Sequence, residues 1–436
     1  MLKLQIIAMQ TKERILIIGG GFAGLNFAKH IDKDKFEVTL VDRNNFHSFP
    51  PLFYQIASSG LEPGSICFPY RREIKRGKAK GIHYRIGEVM SIDLGRKEVT
   101  TQYETISYDR LVVAAGTTNN FFGNKELVKY VYTLKSTAQA IRARDEVLDR
   151  LERASIAKTA EERRKLLSFV VIGGGPAGVE IAGALGEMKR YIVPREYPTI
   201  NQDEISIILL EGTSKLLGAM SEKSQKDGLD YLNKLMVEVR LNSLMTEYKD
   251  DIVKLSDGNT IYSGMVMWTA GVTGQPIKIV GGSDDMMGRG YRFIVDEYNR
   301  VKGLDSVYAI GDMALMLTDD YPKGHPQLAQ VAIQQGRLLA KQISTGNFSK
   351  PFRYNDKGTM ATVGRNLAVV DIGKLHISGF PAWLTWMFIH LISILGMRNK
   401  LNVLLDWTWS YFSYGTSLRL LLHTSRWPLR SRWGEK

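Results

Sequence analysis

Two glycine triplets carry the plainest chemistry in the chain. Gly19-x-Gly21-x-x-Gly24 and Gly173-x-Gly175-x-x-Gly178 each follow an apolar run, RILII before the first and SFVVI before the second. In such a turn the first glycine permits the tight bend, the second leaves room for a pyrophosphate, and the third lets helix and strand pack closely. The helix that follows then aims its unpaired N–H groups at an anion. In each case an acid closes the next apolar strand: Asp42, 18 residues past Gly24, and Glu211, 33 residues past Gly178. A carboxylate at that place can accept a hydrogen bond from a ribose hydroxyl. The GxGxxG pattern alone is weak; strand, helix, second strand and terminal acid together give it weight.

The elements that must position these turns repeat as well. Downstream of each triplet comes another strand and turn, LVVAAGT with Gly116 and MVMWTAG with Gly271, 92 residues past Gly24 and 93 past Gly178. Equal spacing to the same landmark argues for two nucleotide-binding domains of one architecture. The longer path to Glu211 comes from an inserted stretch, EMKRYIVPREYPTINQDE, and makes that acid a less secure ribose ligand than Asp42. From Phe293 the chain runs strand, turn and strand into Gly311-Asp312, which returns it to the first domain. A carboxylate just past a strand's carboxyl end lies in the crevice where doubly wound sheets bind ligands.

Composition narrows the class. The 436 residues, with net charge +13, suffice for about three domains and favour an anionic partner. Cys67 is the sole cysteine, which excludes a redox disulfide pair and any multi-cysteine metal or iron–sulfur site; no metal is expected. Neither zinc-finger spacing nor a basic reading helix occurs, so no nucleic-acid partner is expected. The opening stretch MLKLQIIAMQTKER has too short an apolar run for a secretory signal and reads as a flexible lead.

Between these landmarks lie segments of other kinds. RNNFHSFPPLFYQIASSGLEP reads as irregular chain laid over a ligand, with Phe53, Tyr54 and Gln55 as candidates to touch a bound ring and ordinary loop packing as the alternative. The charge-dense stretch 132–167 reads as one or two exposed connecting helices. In PQLAQVAIQQGRLLA, Gln330 and Gln334 stand four apart on one helix face, which by spacing alone suits solvated side chains.

The last sixty residues differ. They hold six of the seven tryptophans, seven Lys or Arg and only two acids, Asp406 and Glu435. Tryptophan favours the lipid headgroup level, and clustered cations favour anionic lipid. Ile377 to Met397 lacks any Lys, Arg, Asp or Glu, but Gly379, Pro381 and His390 interrupt it. A pair of amphipathic helices lying in one leaflet is the expectation, with a spanning helix or a dimer interface as alternatives.

On these residues the chain resembles the type II, single-subunit, non-proton-pumping NADH:quinone oxidoreductases of the two-dinucleotide-binding-domain flavoprotein superfamily. The more specific motifs are the AQxAxQxG segment Ala329 to Gly336 and the run MATVGRNLAVVDIGKLHISGFPAWLTW. The resemblance implies an α/β fold of two Rossmann-like domains plus a C-terminal amphipathic-helical membrane-anchoring region. The expected division is 1–130 and 283–350 for FAD, 131–282 for NADH, and 351–436 for the membrane. It implies FAD on Gly19, Gly21, Gly24, Asp42 and Asp312, with Gly116 as the neighbouring turn, and NADH on Gly173, Gly175, Gly178 and Glu211, with Gly271 as its counterpart. Glu180 would lie near nicotinamide and flavin, and Gln330 and Gln334 would line a quinone site with Lys374 near it, which reverses the solvated reading of the glutamines. Expected partners are NADH, a membrane quinone, an anionic bilayer surface and a second copy of the chain in a homodimer, at the cytoplasmic face of a bacterial inner membrane. A flavin-dependent NADH oxidase and a redox-responsive FAD/NADH-binding protein without turnover are the competing readings; disulfide reductases and sulfide:quinone oxidoreductases need more cysteines than Cys67.

Overall fold

The computed structural model describes residues 12–413 and 418–421, so the lead segment 1–11 and the tail tryptophans Trp427 and Trp433 lie outside the described residues. Strand β1 (Glu13–Ile18), helix α1 (Phe22–His30), β2 (Phe36–Asp42), α2 (Phe53–Ala57), β3 (Ile82–Ile86), β4 (Arg110–Val113) and β5 (Tyr132–Thr133) come first. Next are α3 (Thr137–Ile156), β6 (Ser168–Ile172), α4 (Pro176–Glu187), β7 (Ser206–Leu210), α5 (Glu222–Lys234), β8 (Glu238–Arg240) and β9 (Met265–Trp268). The chain continues through β10 (Val307–Ala309), α6 (Ala329–Thr345), β11 (Thr359–Gly364), β12 (Leu367–Ile372), β13 (Leu375–Ser378), α7 (Gly379–Ser393) and α8 (Met397–Ser413). It divides into two compact units, Met1–His47 with Phe68–Thr118 and Val272–Asp356, and Ser48–Cys67 with Asn119–Gly271 and Lys357–Lys436.

The first unit is built on a five-stranded parallel sheet in the order β10-β4-β1-β2-β3. Its central strands carry continuous buried apolar runs, Ile15 to Ile18 in β1 and Leu111 to Val113 in β4, because both faces are covered there. Helices α1 and α6 cover one face, where Phe27, Ala28, Leu339 and Ala340 join the strand residues Ile15, Ile17 and Val38. A Cβ at Gly336 would press on the Ala23 carbonyl, so the close approach of the two helices depends on a glycine there. On the other face an antiparallel meander supplies Ile92 and Val99 against Leu16, Ile18 and Val113.

In the second unit the parallel sheet runs β5-β9-β6-β7-β8. The order around the fingerprint strand is that of the first unit; only the outermost strand differs in origin, following the others in one unit and preceding them in the other. Register agrees too: Ile18 pairs with Val41 and Val113, and Ile172 with Leu210 and Trp268. The strand order reverses at β1 and at β6, the place where such sheets open a ligand crevice.

The connector holds two helices: Ala160–Leu166 is largely exposed, as expected, whereas the longer one is not. Helix α3 buries Ala143, Val147, Leu148 and Leu151 together with Arg144, Glu146 and Arg150. These charges are tolerated inside because they are paired: Arg150 donates to Glu146 at 2.7 Å and to the Gly264 carbonyl at 2.5 Å, and Tyr132 donates to Glu146 at 2.6 Å. Charge density is a poor guide to exposure here, since the charges pair with one another on the helix and with Tyr132 and the Gly264 carbonyl outside it.

At the C-terminus β11, β12 and β13 form an antiparallel sheet, and α7 and α8 follow. Helix α7 packs Ala382 against Ala368 and Val370. Helix α8 buries Asn399, Val403 and Trp407, spaced four apart, and its end is held by Arg365, whose guanidinium donates to the carbonyls of Ser410 at 2.6 Å and Tyr411 at 2.8 Å. The expected helix pair is therefore present, with large apolar residues facing outward: Phe380, Leu384, Phe388 and Ile392 on α7, Leu401, Leu405, Trp409 and Phe412 on α8. Among the described residues no helix is long and apolar enough to cross a membrane.

One residue ties this region to pH. The His390 ring stacks on Trp386 at 4.1 Å, meets Phe49 edge-on at 6.0 Å, and donates from Nδ1 to the Trp386 carbonyl at 2.8 Å. Burial lowers its pKa from 6.5 to about 4. The unfolded imidazole takes up a proton near pH 6.5 and the folded one does not, so the stability His390 contributes is full above that pH and is lost on acidification towards pH 4, at most about 3 kcal/mol. The melting temperature of the native protein should fall more steeply across this window than that of His390→Leu, measured by thermal denaturation between pH 7 and pH 4. Equal acid sensitivity in both would contradict the assignment.

Candidate functional site

Both glycine turns have one local geometry. Gly19 and Gly173 take φ of +93° and +107°, and a Cβ at either would strike the backbone of the turn after the neighbouring strand. Each is held by an N–H donated to the facing strand, Gly19 to Val41 O and Gly173 to Leu210 O, both at 2.8 Å. A Cβ at Gly24 would fall on the Gly19 carbonyl, and one at Gly178 on the Gly173 carbonyl. Gly21 and Gly175 are the opposite case, with no atom within 4 Å of a Cβ built on them. Open space thus lies over the second glycine of each triplet. These two residues also cap α1 and α4, whose first turns have neither a side-chain cap nor an acid. Bare helix N-termini beneath open backbone fit a dinucleotide pyrophosphate in both units.

The two acids brace the same turns. Asp42 accepts from Gly20 N and Asn44 N, both at 2.7 Å, and from the Tyr70 hydroxyl at 3.2 Å. Glu211 accepts from Gly174 N at 2.6 Å and Thr213 N at 2.7 Å. The insertion that lengthens the path to Glu211 is taken up by a π-helical turn over Met188–Ile192 and the short helix Val193–Glu196, and the acid stands in the same relation to its glycine turn as Asp42 does. Burial raises the pKa of Asp42, against the lowering effect of its backbone hydrogen bonds.

Asp312 sits on a 3₁₀ turn, Gly311–Met313, directly after β10 at the sheet's carboxyl edge, and accepts from Thr117 Oγ1 at 3.2 Å. Gln335 fixes that turn: its side-chain Oε1, in a residue only 1 % exposed, accepts from Gly311 N at 2.7 Å. Sequence reasoning passed over Gln335, Thr117 and Tyr70. Gln335 stands at an unspecified position of the AQxAxQxG segment, so the motif carries no signal for it. Gly116 and Gly271 lie after β4 and β9 in their respective units, as their spacing required.

The other singled-out residues are distributed between the units. Gln330 and Gln334 share a face of α6 and meet the segment 354–355: Tyr354 OH donates to Gln330 Oε1 at 3.3 Å, while Gln334 exchanges two bonds with the Asn355 backbone at 2.9 and 3.0 Å. They are partly buried and bonded, unlike the solvated pair that spacing alone suggests. Glu180 belongs to the second unit, buried on α4, where its carboxyl accepts from the Thr362 backbone N–H. Burial pushes its pKa well above the ordinary carboxylate value. Lys374 is in that unit too, exposed at the tip of the β12–β13 hairpin.

Comparison with known proteins agrees with this geometry. Residues 13–336 match the model of the pyridine nucleotide-disulphide oxidoreductase family, and residues 357–413 match that of the NDH2 C-terminal domain. Two proteins of Mycobacterium tuberculosis named as type II NADH:quinone oxidoreductases are similar along their length. One is 36% identical over 93% of this chain and 88% of its own, the other 34% identical over 92% and 89%. Among solved structures, NDH2 from Plasmodium falciparum in complex with NADH superposes with a TM-score of 0.86 at 21% identity, covering 95% of this chain and all of that one. The sulfide:quinone oxidoreductase of Aquifex aeolicus shares the fold more loosely, with a TM-score of 0.70 at 18% identity over 93% of this chain and 96% of that one. The chain belongs to the type II NADH:quinone oxidoreductases, within the pyridine nucleotide-disulphide oxidoreductase family.

Proposed function

We propose that the protein is a membrane-associated flavoenzyme that passes a hydride from NADH to FAD and then two electrons to a membrane quinone, without pumping protons. The observation that carries this reading is the coexistence of two matched dinucleotide cradles with a C-terminal helix pair that turns its large apolar side chains outward. When bound, FAD takes up the hydride and releases its electrons singly or in pairs, chemistry no side chain supplies.

The first unit holds FAD. Gly19, Gly21 and Gly24 admit its pyrophosphate, Asp42 accepts from the adenosine ribose, Gly116 shapes the adjoining turn, and Asp312, fixed by Gln335, accepts from the ribitol. The N-terminus of α6, capped by Leu328 with no side-chain hydrogen bond, would favour negative charge on a flavin ring held beside it. In the second unit Gly173, Gly175, Gly178 and Gly271 admit NADH and Glu211 accepts from its ribose. Glu180, buried on α4, lies near the nicotinamide. Gln330, Gln334 and Lys374 contact the quinone. Domain limits of 1–130 with 283–350, 131–282 and 351–436 belong to this reading.

The partners follow from the surface. Outward apolar residues of α7 and α8, with a net charge of +13, suit an anionic bilayer, and a monotopic seat on the cytoplasmic face of an inner membrane gives access to both NADH and quinone. A homodimer is part of the same proposal. Steady-state turnover tests it: NADH oxidation should depend on an added short-chain quinone. A quinone-independent rate would favour an oxidase, and negligible rates with and without quinone a binding protein.

Glu211 sets cofactor choice in this reading. Its carboxylate repels a 2′-phosphate and accepts from a 2′-hydroxyl, so Glu211→Gln should shift the NADH/NADPH ratio of kcat/KM towards NADPH by roughly tenfold, the worth of one charge-assisted bond. An unchanged ratio would contradict the role.

A further inference from the structure

After β7 and Glu211 the chain enters a loop, residues 212–220, that ends at Ser221, the N-cap of α5. This loop is bonded to the second glycine turn at its start and in its middle. Glu211 accepts from Gly174 N at 2.6 Å and from Thr213 N at 2.7 Å, and Leu217 N donates to the Gly174 carbonyl at 2.8 Å. Both backbone groups of Gly174 are thus engaged by one segment. A Cβ at Gly174 would strike Leu216 Cδ2, so Leu216 lies directly against the turn. Leu216 and Leu217 are buried, whereas Ser214, Lys215, Gly218 and Ala219 are exposed.

The middle of the loop is strained. Leu217 takes φ of +50°, a left-handed conformation that leucine keeps only when its surroundings impose it. Met220 N returns to the Leu217 carbonyl at 2.7 Å, so the strained residue and Ser221 stand at the two ends of one turn. Ser221 in turn is tied to the C-terminal sheet. Asp371 of β12 accepts from Ser221 N at 2.7 Å, from Ser221 Oγ at 2.9 Å and from Ser224 Oγ at 2.8 Å. His376, its cross-strand neighbour on β13, braces it: the ring nitrogens lie 3.1 Å from Asp371 Oδ1 and 3.0 Å from Asp227 Oδ2 of α5. Burial opposes ionisation of Asp371, yet the bonds from Ser221, His376 and Ser224 hold its carboxyl below the usual carboxylate range.

We infer that Asp371 is a positioning residue for NADH: by pinning Ser221 it keeps the strained loop 212–220 against the second glycine turn, so the C-terminal sheet completes the dinucleotide cradle as well as leading into α7. The inference rests on the reading above that this cradle takes NADH. Asp371 itself touches no reacting atom. Its effect is transmitted through Ser221, Leu217 and Gly174. A loop already in place spares NADH the ordering that binding would otherwise have to drive, so loss of the pin is felt in affinity and not in the rate at which bound NADH reduces the flavin.

The test uses the flavin-loaded full chain and stopped-flow flavin reduction over a range of NADH concentrations. Asp371→Ala removes the pin. Glu187→Ala is the contrast, because it cuts a different tie between the same sheet and the same domain: Arg365 N donates to Glu187 Oε1 at 2.6 Å. Both variants should lose thermal stability. Asp371→Ala should raise the NADH concentration for half-maximal reduction by roughly tenfold, the scale of a hydrogen bond to a charged group, and keep the native limiting rate and the native rate of reoxidation by quinone. Glu187→Ala should keep the native half-saturation. An unchanged half-saturation in folded Asp371→Ala, a loss confined to its limiting rate, or an equal rise in Glu187→Ala would overturn the inference while leaving the function intact. A native protein whose bound flavin NADH does not reduce would overturn the reading beneath it as well. If Asp371→Ala does not fold, Asp371→Asn, which keeps the shape but loses the charge and one acceptor oxygen, makes the same comparison and should show the same split.

Discussion

Gly175→Val should yield a folded, flavin-loaded protein whose kcat/KM for NADH falls by at least about 100-fold. Gly175 has an extended backbone, φ −73° and ψ 179°, which valine adopts freely, and no protein atom lies within 4 Å of a Cβ there. The added methyls therefore enter only the space above the turn. If that space receives the NADH pyrophosphate, they occupy it and also block the approach to the α4 N–H groups. The capping change costs the fold no more than about 1 kcal/mol. Gly178→Val is the internal contrast, because its Cβ falls on the Gly173 carbonyl and it should lose folded protein rather than NADH affinity alone. Stopped-flow reduction of the bound flavin, with thermal denaturation of the same samples, separates the two. Native kcat/KM in Gly175→Val would remove the dinucleotide from the second cradle.

A second large effect belongs to the outer surface. The triple substitution Phe388→Asp, Leu405→Asp and Phe412→Asp should release the protein from membranes by roughly 1,000-fold or more, since burying each such side chain is worth about 1.5–3 kcal/mol. The three residues are 62%, 66% and 81% exposed, so the fold does not depend on them. The helices stay attached through Trp386, Val403 and Trp407, which are buried. Sedimentation with vesicles at moderate salt gives the partition. Reduction of a water-soluble quinone should survive while reduction of a long-chain quinone held in vesicles collapses. Retention of the triple variant in the pellet would place the membrane contact elsewhere.

How much of the molecule is legible in its sequence depends on whether backbone or side chains decide a feature. The glycine turns can be read because a positive φ at Gly19 and Gly173 and the close approaches at Gly24 and Gly178 leave few alternatives to glycine. Register follows from the apolar strands. The return of the chain to the first sheet at β10 is visible in the strand that runs into Gly311-Asp312. Glu211 looks less secure than Asp42 when sequence distance is taken as spatial distance; the helical insertion absorbs the extra residues without moving the acid.

Features set by long-range partners are hidden. Arg144, Glu146 and Arg150 read as a solvated face; Arg144 is paired with Asp145 and Arg150 with Glu146 on the helix itself, and Tyr132 and the Gly264 carbonyl, which no local pattern reveals, complete the bonds of the latter pair. Gln335 is one of three glutamines in the AQxAxQxG segment, and nothing local marks it as the one that bonds Gly311. Phe53 to Gln55 look irregular because Pro50 and Pro51 precede them, whereas the prolines start a 3₁₀ turn that feeds α2. The hydrogen bond from the Trp407 indole to Gln55 spans 352 residues and has no sequence signature.

The central claim is that one half of the chain holds a flavin, the other supplies it with hydride from NADH, and quinone collects the electrons. Anaerobic absorption spectroscopy of the purified full chain tests it most directly. The account predicts an oxidised flavin spectrum that bleaches on one equivalent of NADH and returns on one equivalent of quinone. A colourless protein after gentle isolation, or a bleached flavin that quinone does not reoxidise, would contradict it.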